Sequence, residues 1–342
     1  MRIGVIAPPW TPVPPPFYGG TELIVDLLAR GLAAAGHDVV LFTTGDSTCP
    51  VPRRWVLEHA EGQRIGVGVI EARHVLHAYD AVEDADLVHD HTIFGPLYAE
   101  RIHGLPVVTT AHGPFNGDLY ELYRHAARRH TLVCVSHHQR STAPDVPVAR
   151  VIHHGIDAST FPVGDGAGGY ALFLGRMAPE KGVRRAIDAC RKAGVPLRIV
   201  AKMREPLERA YFEAEVEPVL GEDITYLGEV EHAQKVELLA GAIALVNPIR
   251  WPEPFGLVMT EALACGTPVI TFAEGAAPEI VDHGRTGFVC ADEAEMADGL
   301  GRVGELDRRD CRAAVEGPFS AQRMVDDHLR LYNDVLAGTR TG

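Results

Sequence analysis

Pro252-Glu253-Pro254-Phe255-Gly256-Leu257-Val258-Met259-Thr260-Glu261-Ala262-Leu263-Ala264-Cys265-Gly266-Thr267-Pro268-Val269-Ile270 is the stretch that decides the fold. Two prolines bracket Glu253 in a loop. A helix is predicted from Gly256, and a buried strand follows at Pro268. Loop, helix and strand in that order belong to a parallel α/β sheet, and they set two carboxylates and an open helix N-terminus at one end of it. Unpaired backbone N–H groups at such an end bind phosphate. Glu253 and Glu261 lie on one loop–helix element, and eight helical steps at ~1.5 Å each span about 12 Å, the length of a nucleotide-sugar diphosphate. Two solvated glutamates on a surface helix would produce the same spacing, so the reading depends on the rest of the chain.

Short apolar runs alternate with helical stretches from end to end, the rhythm of doubly wound α/β sheets. In the first half, strands are predicted at 2–7, 38–43, 87–90, 107–111 and 132–135, with the clearest helix at 22–35. Residues 163–169 are glycine-rich and read as a linker. The pattern restarts with strands at 170–174, 197–201, 225–227, 243–246, 269–271 and 288–289. Helices are expected at 183–193, 236–240, 295–303 and 321–336. With 342 residues and 46% hydrophobic content, the chain can fill two cores.

A net charge of −14 argues against non-specific nucleic-acid or anionic-membrane binding. No apolar run is long enough to span a bilayer, and the first residues read as a strand rather than a leader, so a soluble cytoplasmic protein is expected. In so acidic a chain, a diphosphate site must rest on a few placed cations and backbone dipoles. Lysine occurs only at 181, 192, 202 and 235. The six cysteines form no C-x-x-C pair, so neither a disulfide framework nor a zinc site is expected.

Candidate site residues follow predicted strands, where open α/β sheets bind ligands. Arg176 and Lys181, in Gly175-Arg176-Met177-Ala178-Pro179-Glu180-Lys181-Gly182, flank a loop that opens a helix and could clamp a diphosphate. Gly19 and Gly20 end a proline-rich loop and allow backbone to approach a ligand, but no G-x-G-x-x-G dinucleotide fingerprint is present. His112 follows the strand at 107–111. Ser136 is placed as a helix N-cap. His89 and His91 share one face of a strand, with Asp90 opposite, and no further metal ligand stands at a recognisable spacing.

Glu253 to Ile270, the Gly-Arg…Lys-Gly loop at 175–182 and the Gly-Gly loop at 19–20 resemble, in order and topology, the motifs of glycosyltransferase family 4. The resemblance covers nearly the whole chain and is strongest over 170–290. It implies two Rossmann-like domains facing a cleft (the GT-B fold), with 1–162 binding the acceptor, joined by a C-terminal helix at 319–342, and 163–318 binding the donor. It further implies retaining, metal-independent transfer from a UDP-, GDP- or dTDP-linked sugar, with no cofactor, to a saccharide or small molecule such as a polyketide-derived antibiotic intermediate. By that resemblance His112, Glu253, Arg176 and Lys181 are catalytic. Gly19, Gly20, Phe255, Gly256, Leu257, Val258 and Glu261 contact the donor, Glu253 at the sugar and Glu261 at the ribose. His154-Gly155-Ile156-Asp157 resembles the family's Asn-Gly-Val-Asp turn with His for Asn, which leaves His154 without a role. Two other readings stay open: a nucleotide-sugar epimerase or hydrolase on the same fold, and a non-catalytic sugar-nucleotide binder.

Overall fold

The computed structural model describes residues 1–100 and 104–338. The chain divides into two units. The first comprises Met1–Gly155 and the C-terminal segment from Ala321, and the second runs from Ile156 to Ser320. The expected break at 162/163 therefore falls earlier, and the chain returns to the first unit at Ala321. The expected C-terminal helix is Ala321–Leu336; its proposed extension over 339–342 lies outside the described residues.

In the first unit, β1 (Arg2–Ile6), β2 (Asp38–Thr43), β3 (Arg53–Trp55), β4 (Leu87–Asp90), β5 (Val107–Ala111), β6 (Thr131–Cys134) and β7 (Val148–Val151) form one parallel sheet in the order β3-β2-β1-β4-β5-β6-β7. The central strands are buried on both faces, which is why they read as continuous apolar runs rather than as alternations. The helix Gly20–Ala34 packs Ile24, Leu28 and Leu32 into the core. Each such side chain contributes ~1.5–3 kcal/mol of burial. Gly31 lets this helix cross Ala321–Leu336 closely, since a Cβ there would stand 2.4 Å from Val325 Cγ2. That crossing ties the end of the chain to its beginning.

In the second unit, β8 (Ala171–Arg176), β9 (Leu197–Lys202), β10 (Ile224–Tyr226), β11 (Ala244–Asn247), β12 (Val269–Phe272) and β13 (Gly287–Cys290) form a parallel sheet in the order β10-β9-β8-β11-β12-β13. Phe173, Ile199, Val246, Ile270 and Phe272 share its core with Ile187 and Cys190 of the helix Val183–Ala193. The glycine-rich stretch 163–169 is not a linker. Gly164 donates to Cys265 O, and a Cβ on it would lie 2.1 Å from Ala240 O. Arg308 holds the stretch down, donating to the carbonyls of Gly164, Ala240 and Ala242 and to Thr267 Oγ1. Gly164, Gly166 and Gly168 serve close packing.

Each sheet has one switch point, between β1 and β4 in the first unit and between β8 and β11 in the second. Open sheets leave a crevice for ligands at these positions, beyond the strand carboxyl ends. All six cysteines are buried and free, and no helix among the described residues is long and apolar enough to cross a membrane.

Candidate active site

The second unit assembles its site at its switch point. Lys181 lies in the short 3-10 turn Pro179–Lys181 after β8, and Glu253 lies in the loop after β11. Adjacent strands thus deliver two residues far apart in sequence to one place, where Lys181 Nζ pairs with Glu253 Oε2. Trp251 Nε1 donates to the same oxygen at 2.6 Å, and the ammonium lies 5.0 Å from the Trp251 ring centroid. Gly182, left-handed at φ 82°, makes the turn tight; a Cβ there would stand 2.3 Å from Pro248 O.

Arg176 corrects its sequence placement. It is the last residue of β8, in register with Lys202, rather than part of the loop. Its guanidinium, about one-third exposed, donates to Glu180 Oε1 at 2.8 Å. Both expected phosphate-clamping cations therefore already hold carboxylate partners.

Gly256, at φ 92°, caps the helix Leu257–Ala264, and no side chain bonds to the helix start. Gly256, Leu257 and Val258 are half-buried, and while Met259 N already donates to Gly256 O, the N–H groups of Leu257 and Val258 lack an intrahelical acceptor and can serve an anion. Phe255 differs from expectation: its side chain is buried and packs 5.9 Å, centroid to centroid, from Phe319. An aromatic ring in this apolar setting is core, which leaves Phe255 only its backbone for a donor. Glu261 is buried one helical stretch further on and accepts from Lys235 Nζ at 2.5 Å. The sequence assigns no site role to Lys235, Trp251 or Glu180, since no motif pairs them with their partners. Gly275 also shapes this site. It fixes the Glu253 loop, since a Cβ there would lie 2.3 Å from Glu253 O, while Ala276 donates to that same carbonyl.

In the first unit, Gly19 precedes the helix Gly20–Ala34, and a Cβ on it would meet Pro15 at 2.7 Å. Glu22 is buried at this helix start, and loss of hydration raises its carboxyl to about 7. His112 follows β5. Gln139 Nε2 clasps the backbone on either side of it, donating to Ala111 O at 2.8 Å and Gly113 O at 2.7 Å. Ser136 is the expected N-cap, its Oγ accepting from Gln139 N.

The histidines of this unit form a row. His112 Nε2 and His91 Nδ1 are 2.9 Å apart. His154 stacks on His112 at 5.4 Å, and the His89 ring lies 4.1 Å from His91 and 5.1 Å from His328. His89 is held by Tyr332 OH at 2.6 Å and Thr110 Oγ1 at 2.8 Å. Burial drives all five imidazoles toward neutrality, and neighbouring rings add to the effect at His89, His91, His112 and His154. His112 is pushed down to about 3 and His328 to about 4, and the others fall well below the ordinary histidine value. The sequence showed His89 and His91 on one strand face. It did not show that His154 and the C-terminal helix complete the row.

Two family models match the chain. Residues 18–160 match Glycosyltransferase Family 4, and residues 165–314 match Glycosyl transferases group 1. The chain is a family 4 glycosyltransferase of the GT-B fold. It is 27% identical over 386 aligned positions to a glycogen synthase of Mycobacterium tuberculosis, covering 94% of this chain and 88% of the relative. Among solved structures it is similar to AviGT4, a glycosyltransferase involved in avilamycin A biosynthesis (TM-score 0.74, 23% identity, 98% of each chain). It is also similar to Anabaena Alr3699/HepE in complex with UDP and glucose (TM-score 0.79, 18% identity, 98% of this chain and 100% of that one).

Proposed function

We propose that this glycosyltransferase is a retaining, metal-independent enzyme. It moves a sugar from a nucleoside-diphosphate donor, UDP-linked in the first instance, to a hydroxyl of a saccharide or of a small molecule such as a polyketide-derived antibiotic intermediate. The second unit binds the donor and the first binds the acceptor. The observation that carries the reading is the meeting of Lys181, Glu253 and Trp251 at the second unit's switch point, beside the uncapped helix start at Gly256.

In the reaction, the bond between the anomeric carbon and the diphosphate oxygen breaks, and the acceptor oxygen bonds to that carbon on the same face. The acceptor proton passes to the departing phosphate. Arg176, Lys181 and the N–H groups of Leu257 and Val258 stabilise the charge that grows on the diphosphate. These cations take the part that a divalent ion would otherwise play. Glu253 addresses the sugar, and its bonds to Lys181 and Trp251 hold its carboxyl group in a defined place. Glu261 addresses the ribose, with Lys235 holding one oxygen.

The test is a pair of isosteric substitutions. Glu253→Gln should lower kcat far more than it weakens binding of free nucleoside diphosphate, because its interaction strengthens as the sugar departs. Glu261→Gln should chiefly raise the donor KM. If Glu253→Gln lost nucleotide affinity while Glu261→Gln lost only turnover, the donor would lie the other way along the helix. Donor consumption without acceptor, at the rate seen with it, would instead favour a hydrolase.

A further inference from the structure

The tautomer of His112 can be read from the atoms around it. His91 follows β4 directly, and its backbone N–H is anchored to Ile6 O of β1 at 2.9 Å. Its Nδ1 faces His112 Nε2 at 2.9 Å, and its other ring nitrogen, Nε2, is buried with no hydrogen-bond partner among the described residues. Burial first, and then the neighbouring rings, drive both imidazoles toward the neutral form, which places one proton in the shared bond. It belongs to one ring or to the other.

If His112 supplied that proton, His91 would carry its own on Nε2, as a buried N–H with nothing to receive it. Orphaned N–H donors are rarer in folded proteins than under-used acceptors. If His91 supplies the proton from Nδ1, the bond is made and the orphan is only a lone pair. His112 must then carry its proton on Nδ1. That nitrogen makes no hydrogen bond among the described residues, and His112 is only half-buried.

We propose that His91 is a positioning residue that donates its Nδ1–H to His112 Nε2 and thereby holds His112 in the tautomer that offers Nδ1–H to a substrate hydroxyl. The role for His112 rests on the glycosyltransferase reading above; the tautomer does not. The surroundings agree with a neutral pair. The groups facing His112 from other elements are His91 and His89 of the β4 segment, His154 stacked on it, and His328 of the helix Ala321–Leu336, with Arg323 of that helix donating to the carbonyls of His153 and His154. Among the described residues the nearby Asp90 is committed to Tyr79 and Thr92 and so does not turn the pair into an ion pair. Behind His91, Thr110 and Tyr332 fix His89, against which His91 packs. The chain of contacts therefore runs from the C-terminal helix to the reactive edge of His112.

The test reads the protons directly. Long-range ¹H–¹⁵N histidine spectra of the full chain at neutral pH, assigned with single-histidine variants, should show His91 and His112 both protonated at Nδ1. A proton on His112 Nε2 overturns the proposal whether or not the chain transfers sugar. In turnover, His91→Leu removes the donor and should lower kcat about tenfold or more, equivalent to ~1.4 kcal/mol of barrier, with nucleoside-diphosphate affinity unchanged. His91→Asn places an amide N–H near the position of Nδ1 and should recover most of that loss. Equal activities for the leucine and asparagine variants would refute the positioning role. A wild-type chain that binds nucleotide but transfers no sugar would refute the glycosyltransferase reading, with the spectra still deciding the tautomer.

Discussion

Lowering the pH from 7 to 5.5 should loosen the first unit and leave the second nearly untouched. His74, His89, His91, His154 and His328 are buried, and loss of hydration holds each below the ordinary histidine pKa. The folded value lies below the unfolded one, so the unfolded chain takes up more protons on acidification. The stability these rings supply is complete above the unfolded pKa and drains away as the pH drops below it. For a ring that stays neutral when folded and titrates near 6.5 when unfolded, this step costs about 1.2 kcal/mol, so five cost about 6 kcal/mol. Two buried carboxyls act in the opposite sense. Glu22 and Asp90 are raised by burial to about 7, so they protonate first in the folded state. That gains about 1.6 kcal/mol each, roughly 3 kcal/mol together. Glu71, raised by the same cause, and half-buried His112 push in opposite directions. The net loss is about 3 kcal/mol, a large share of the ~5–15 kcal/mol that holds a domain folded. In the second unit the histidine with a lowered pKa is His232, which is exposed and so contributes little. Hydrogen exchange with mass spectrometry at the two pH values, corrected for intrinsic rates, resolves the two units in one sample. Equal deprotection of both units, or a gain of protection in the first, would refute this account.

Three further outcomes are expected. Arg176→Ala or Lys181→Ala should weaken nucleoside diphosphate by ~1.5–3 kcal/mol, the worth of a charge-assisted hydrogen bond; unchanged affinity of both folded variants by calorimetry would remove the clamp. Gly275→Ala forces a Cβ against the Glu253 backbone at a left-handed φ of 57°, so kcat should fall by about tenfold, or ~1.4 kcal/mol, with the melting temperature of the second unit also lowered; wild-type turnover would show that the Glu253 loop need not be held. Sugar transfer should survive exhaustive EDTA treatment, and loss of activity restored by Mn²⁺ or Mg²⁺ would mean that the cations of the second unit do not suffice.

The sequence located eleven of the strands to within a few residues, because strands buried on both faces are written as apolar runs, and it passed over the edge strand β7, Val148–Val151, of which only Val148 is buried. It missed β3, Arg53–Trp55, a three-residue edge strand that is mostly exposed, where nothing in the core dictates residue type. The helix Gly68–Ala81 escaped for a related reason: Val69 and Leu76 point outward, so its apolar residues do not keep to one face. At the site, Arg176, Lys181, Glu253 and Glu261 were legible as types at characteristic spacings. Their pairings were not, since Lys181 meets Glu253 across 72 residues and Lys235 meets Glu261 across 26. Phe255 shows the converse: a motif position whose ring serves packing instead of ligand binding.

The first unit is written in two pieces, and this orders its assembly. Residues 156–320 are contiguous, so the second unit has all its strands once Ser320 has left the ribosome. The first unit is synthesised earlier, yet it must wait for Met324, Val325, His328, Leu331 and Tyr332, all buried in it, to emerge last. Until then the apolar flank around Gly31 and the ring of His89 have no cover. The half made first should thus be completed last. Chains truncated after residue 320 and released from the ribosome should carry a protease-resistant second unit and a protease-sensitive first one, and resistance of both at that length would show that the closing helix is dispensable for folding.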